Sequence, residues 1–113
     1  MLNYALVLFA IGALGGLVLA SYVLRGKFAP WLLSILHALL GAAGLIVLIV
    51  MLIQGSTGSR LIAALGLLVI AALGGFFLAS LHLRNKIPGK AVVIGHAGLA
   101  VVGFLTLLSI LFY

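Results

Sequence analysis

Not one aspartate or glutamate occurs among the 113 residues, and there is no cysteine. The missing cysteines exclude a disulfide framework and a thiolate metal site. The missing acids leave no carboxylate to act as a base, a metal ligand or a proton-coupled transport residue. Charge of either sign is scarce: charged residues make up 5% of the chain, against about 25% in an ordinary soluble domain. What fills the chain instead is hydrophobic side chain, 67% of all residues. A chain this apolar needs a solvent other than water, and the lipid bilayer is the one that fits. The net charge of +6 raises the question of nucleic acid. The basic residues, however, stand at the ends of apolar runs rather than on an aromatic-interleaved face, so contact with lipid headgroups explains them better.

Four apolar runs, at about residues 3–24, 31–53, 61–83 and 91–112, each approach the roughly 20 residues a helix needs to cross the hydrocarbon core. The first is too long for the apolar part of a cleavable leader, and no small-residue cleavage pattern leads from it into a polar domain. The breaks are short: Arg25-Gly26-Lys27 with Pro30, a Gly/Ser/Thr stretch from Gln54 to Ser59, and Arg84-Asn85-Lys86 followed by Pro88-Gly89-Lys90. They leave no room for a soluble domain. The expectation is an all-α, integral membrane four-helix up-down bundle forming one transmembrane domain over residues 1–113. Five of the six basic residues fall in the first and third breaks, and Arg60 alone falls in the second. The positive-inside rule then places loops 25–30 and 84–90 in the cytoplasm, with both termini outside, as in a bacterial inner membrane. Tyr4 and Tyr113 suit the outer interface, and Tyr22 and Trp31 the inner one.

The chain also resembles itself. Shifted by 59 residues it aligns about 22 identities over 54 positions without a gap, which marks residues 1–54 and 60–113 as tandem copies of one two-helix unit. Leu14-Gly15-Gly16 falls on Leu73-Gly74-Gly75, Leu24-Arg25 on Leu83-Arg84, Lys27 on Lys86, His37-Ala38 on His96-Ala97, and Gly44 on Gly103. Two helices per unit means that both copies cross in the same sense, so their pseudo-two-fold axis runs along the membrane normal, unlike that of inverted-repeat transporters. Small residues recur on every run, as expected where helices associate by close backbone approach.

With acids and cysteines absent, chemistry reduces to three histidines, a few hydroxyls and the basic loops. His37 and His96 each lie six or seven residues beyond a loop, on the order of 10 Å into the membrane at 1.5 Å per residue. The repeat puts them at matching depth, where both can face the bundle axis. Gly41 and Gly44 follow His37 on its own face and Gly103 follows His96, which leaves volume for a porphyrin plane. Two neutral imidazoles across a bundle are the arrangement that clamps a b-type haem. Arg25, Lys27, Arg84 and Lys86 then offer cations to its propionates. The same histidines can instead be interhelical glue, hydrogen-bonded to a carbonyl or to a hydroxyl such as Ser34. His82 falls on Val23 in the repeat. It can line a propionate or quinone pocket, or snorkel to the headgroups, the reading preferred here.

In its architecture and its His37/His96 placement the chain resembles the small four-helix membrane cytochromes b, loosely of the cytochrome b561 type. That resemblance implies haem b, electron transfer and exchange with quinone or another redox protein. Members of that group usually hold two haems by four histidines, whereas this chain has three, so a second bis-His haem within one subunit is excluded. A cofactor-free accessory or assembly subunit, within a homo-oligomer or a larger membrane complex, is the alternative. A small multidrug exporter fits poorly, since such exporters depend on a membrane glutamate and the basic rim here repels cations. No nucleophile–base pair or metal cluster suggests a hydrolase or a group-transfer enzyme.

Overall fold

The computed structural model describes residues 1–113 as four helices, α1 (Leu2–Leu24), α2 (Trp31–Ile53), α3 (Ser59–Leu83) and α4 (Lys90–Phe112). Every end lies within two residues of the expected one. In hydrocarbon each backbone N–H and C=O needs an internal partner, and an uninterrupted apolar run satisfies that need as a helix. All four are long and apolar enough to cross a membrane, which makes the chain an integral membrane protein. Its long axis of 42 Å matches a bilayer of about 40–45 Å with its headgroup regions. Large apolar side chains such as Leu14, Ile46 and Leu73 point outward, as lipid-facing residues should.

The ends of α1, α2 and α3 share one device. In α1 the amide of Gly26 bonds the Val23 carbonyl and that of Lys27 bonds the Tyr22 carbonyl. Gly55 and Ser56 do the same for Leu52 and Met51, and Asn85 and Lys86 for His82 and Leu81. This is the Schellman closure, which requires a left-handed residue just past the helix. Gly26 (φ +73°), Gly55 (φ +99°) and Asn85 (φ +55°) supply it; asparagine is among the few residues with a side chain that enter this region readily. One consequence for the site is that Lys27 and Lys86 leave α1 and α3 at the same point of the same turn.

Short loops join antiparallel neighbours. Helix α1 packs against α2 and α4, and α3 against α4 and α2, while the backbones of the pairs α1/α3 and α2/α4 stand diagonally opposed and apart. The contiguous part of the core lies in one half of the bundle. Ala5, Leu6, Phe9, Leu48, Leu61, Ala64, Leu68 and Leu107 form a single buried cluster, and all lie toward the end that carries the termini and the 54–58 loop. At that end Arg60 ties α3 to α4 by donating from Nη1 to the Ser109 carbonyl (2.8 Å) and hydroxyl (3.2 Å).

Two glycines expected to leave porphyrin space belong to this packed half. A Cβ on Gly44 would meet the Phe9 ring at 2.6 Å, and one on Gly103 would meet Leu68 Cγ at 2.9 Å. Their missing side chains are filled by α1 and α3, so Gly44 and Gly103 are contact points of each hairpin rather than cavity walls. Helical spacing puts them on the histidine face, but the side chains that fill the space beside them come from the opposing helix.

Candidate functional site

The other half of the bundle is hollow. A largely apolar cavity of about 440 Å³ runs along the axis between the four helices, within the range of about 300–1,000 Å³ typical of ligand pockets. His37 from α2 and His96 from α4 enter it from opposite corners. Their ring centres are 6.2 Å apart and their planes are inclined by 79°.

Each ring is held in the same way. His37 Nδ1 lies 2.8 Å from the Gly12 carbonyl of α1, and His96 Nδ1 lies 2.7 Å from the Ala71 carbonyl of α3. A carbonyl has a second lone pair after its helical bond and can only accept, so Nδ1–H donates, and in the neutral ring Nε2 keeps its lone pair. Neither Nε2 has a protein partner, and no buried side-chain nitrogen is sealed away without one; both Nε2 atoms are open to the cavity. A ring that reaches the carbonyl of residue i lies over residue i+4 of that helix, whose amide already bonds the same oxygen. Those residues are Gly16 and Gly75. A Cβ on Gly16 would stand 2.9 Å from His37 Cε1, and one on Gly75 would stand 3.2 Å from His96 Cε1. The two glycines are therefore the seats of the two imidazoles. In the sequence their mark is the Gly-Gly pair whose second member stands 21 residues before each histidine.

The remaining walls suit a flat ligand. Where α1 and α3 face each other across the cavity they present Ala13, Ala20, Ala72 and Ala79 beside the two seat glycines. Gly41 also lines the cavity, as expected, with nothing within 4 Å of the place its Cβ would take. Lys27 and Lys86 stand at the basic mouth. Arg25 and Arg84, expected beside them, turn away: their Nε atoms donate to the Ser21 carbonyl (2.9 Å) and the Ser80 carbonyl (3.2 Å) of their own helices. There the exposed C-terminal carbonyls of α1 and α3 attract a cation.

His82 departs most from the headgroup-facing position expected of it. It is 9% exposed and lines the cavity. Trp31 stacks on it with ring centres 3.8 Å apart and planes 1° from parallel, and Phe28 meets it edge-on at 4.4 Å. Its Nε2 lies 3.0 Å from the Ala29 carbonyl and its Nδ1 lies 3.3 Å from the Ser34 hydroxyl. Ser34, considered above as a partner for His37, is thus engaged by His82.

Neither a family model, nor a curated protein, nor a solved structure matches the chain.

The donor set limits what the cavity can hold. No three metal-binding side chains gather anywhere in the protein, whereas a zinc site takes three or four protein ligands. Two opposed imidazoles suit an ion whose other ligands come from elsewhere, and an iron porphyrin is the biological example. A metal bound by two imidazole nitrogens at about 2.0–2.1 Å each holds the ring centres on the order of 6 Å apart, the spacing found here. The donation of each Nδ1–H to a backbone carbonyl is also the second contact that ligating histidines commonly make, since it fixes the tautomer and raises the basicity of Nε2.

Proposed function

We propose that this protein is a membrane b-type cytochrome, or the haem-bearing subunit of one, and that it transfers electrons. The observation that carries the reading is the His37/His96 pair: a 6.2 Å ring separation with each Nδ1 fixed on a backbone carbonyl and each Nε2 free in a shared cavity. His37 and His96 would hold the iron of one haem b. Gly16 and Gly75 admit their rings, and Gly41 leaves open volume beside His37. Lys27 and Lys86 leave the two diagonally opposed helices at one end, where they would meet a pair of propionates. Arg25 and Arg84 contribute to the positive field of that end from a greater distance. Haem b, when bound, supplies a one-electron couple without proton chemistry of its own. The protein's part is to fix both imidazoles on backbone carbonyls, keep the mouth positive and exclude water with its apolar walls.

The chain reads as a duplicated two-helix unit, because the hydrogen bonds from His37 to Gly12 and from His96 to Ala71 span 25 residues in each half. By the positive-inside rule the basic loops face the cytoplasm and the termini the opposite side of a bacterial inner membrane. A membrane quinone or another redox protein would exchange electrons with it.

The test is a visible spectrum of the purified protein, air-oxidised and then dithionite-reduced. A Soret band with a sharp α-band on reduction, lost in both His37→Ala and His96→Ala, is expected. A protein that stays colourless after expression with added haem refutes the cytochrome reading and leaves a cofactor-free subunit whose histidines are interhelical glue.

A further inference from the structure

The two halves of the protein correspond closely around the paired histidines and diverge around His82. Position 23, its counterpart, is valine, and its neighbours Phe28, Trp31 and Ser34 have Ile87, Lys90 and Val93 as their counterparts. Four departures from the repeat have therefore gathered in one place, at the basic mouth of the cavity.

The hydrogen bonds show what the cluster can do. The Ala29 carbonyl only accepts, so His82 Nε2 carries a proton in either charge state. The hydroxyl of Ser34 both donates and accepts. With His82 neutral it donates to Nδ1; with Nδ1 protonated it turns and accepts. A proton can thus be added to or removed from a nearly buried ring without orphaning any polar atom. The parallel face of Trp31, 3.8 Å away, covers the ring without taking up either of its nitrogens. A latch that merely joined α3 to α2 would not need an amphoteric partner.

The charged and titratable groups around His82 are known from every side. Lys27 from the first loop and Lys86 from the third line the same mouth, and Arg84 is turned back onto Ser80. His37 on α2 and His96 on α4 lie deeper, and no helix carries an acid. Negative charge can therefore enter the cavity only with what it holds. We propose that His82 is the proton-exchanging residue of this cavity: as one electron from a donor enters the cofactor, His82 takes one proton at Nδ1 from water at the basic end, and it returns that proton when the electron leaves. The inference rests on the haem reading above.

The experiment is a redox titration of the purified protein in lipid nanodiscs with soluble mediators, repeated between about pH 5 and 8, the range in which imidazoles change charge. The wild-type midpoint should fall as pH rises, with a slope approaching 59 mV per unit over part of the range, the value for one proton per electron. His82→Val copies the residue at position 23 and should fold. His82→Gln keeps an amide that can bond both Ala29 and Ser34 but does not titrate. Both should retain the haem spectrum and lose most of the slope. A wild-type slope near zero, or a slope unchanged in both variants, overturns the proposal while the cytochrome stands. A wild-type protein without a haem spectrum overturns both.

Discussion

Replacing each seat glycine by alanine should damage the two halves unequally. At Gly16 the new methyl would lie 2.9 Å from His37 Cε1 and 3.3 Å from Nδ1. Carbon atoms rest at about 3.5–4.0 Å, so the ring must retreat by roughly 0.6 Å or more. That displacement stretches the 2.8 Å bond to Gly12 beyond the about 3.2 Å limit of a good N–H···O contact. Losing the bond costs about 0.5–1.5 kcal/mol, and the residual overpacking adds about 1–3 kcal/mol. At Gly75 the nearest atom is 3.2 Å away, and a retreat of roughly 0.3 Å leaves the 2.7 Å bond to Ala71 within range. Alanine replaces glycine in a helix in both variants, so the propensity gain cancels between them. Haem affinity, read by Soret titration of the apoprotein, should fall by about tenfold to a thousandfold in Gly16→Ala, at about 1.4 kcal/mol per decade. In Gly75→Ala it should fall by less than about tenfold. Equal losses, or a greater loss at Gly75, would refute the claim that ring clearance over residue i+4 governs the site.

Other consequences concern stability and topology. Gly44→Ala drives a methyl into the Phe9 ring and should lower stability in detergent by about 1–3 kcal/mol; Phe9→Leu in the same chain should recover part of that loss in a double-mutant cycle. Gly41→Ala, whose Cβ meets nothing, should gain a few tenths up to about 1 kcal/mol from helix propensity, read as a raised thermal midpoint. Arg60→Gln weakens the bonds that join α3 to Ser109 on α4 and should speed proteolysis or hydrogen exchange at the 54–58 loop, leaving the spectrum and the His37 and His96 contacts unaltered. Because the chain has no cysteine, single cysteines at Gly26 and Ser56 report topology cleanly: in right-side-out cells an impermeant maleimide should label Ser56→Cys and spare Gly26→Cys.

The helices could be read from the sequence because each is a single apolar run closed by a turn residue, and both signals are local. The meeting of His37 and His96 was legible for a related reason, since the self-alignment of the sequence sets the two histidines at the same distance from a basic loop. The roles of the glycines were not. Gly44 and Gly16 look alike in a string of letters, yet Phe9 occupies the space beside one and His37 the space beside the other, and only the opposing helix decides between them. His82 was misjudged for the same reason. Two residues from Arg84 and near a helix end, it has the address of a snorkelling side chain. The residue that buries it, Trp31, arrives from α2 across 51 positions of sequence. Arg25 and Arg84 had the right charge for an anion but lay closer to their own helix carbonyls.

The confinement of the buried cluster to one half of the bundle also divides the membrane electrically. A transmembrane voltage drops mainly across its driest, least polarisable layer, and here that layer is the packed half around Leu48 and Leu107. The hollow half opens toward the end that carries Lys27 and Lys86, so charge moving between that mouth and His37 or His96 crosses only a small share of the field. The full drop is worth about 2.3 kcal/mol per elementary charge per 100 mV; little of it acts on such a transfer. An electron and a proton that enter and leave by the same mouth carry no net current across the bilayer. If both charges use this mouth, turnover in the proposed cytochrome would run at the same rate in an energised cell and in a collapsed vesicle.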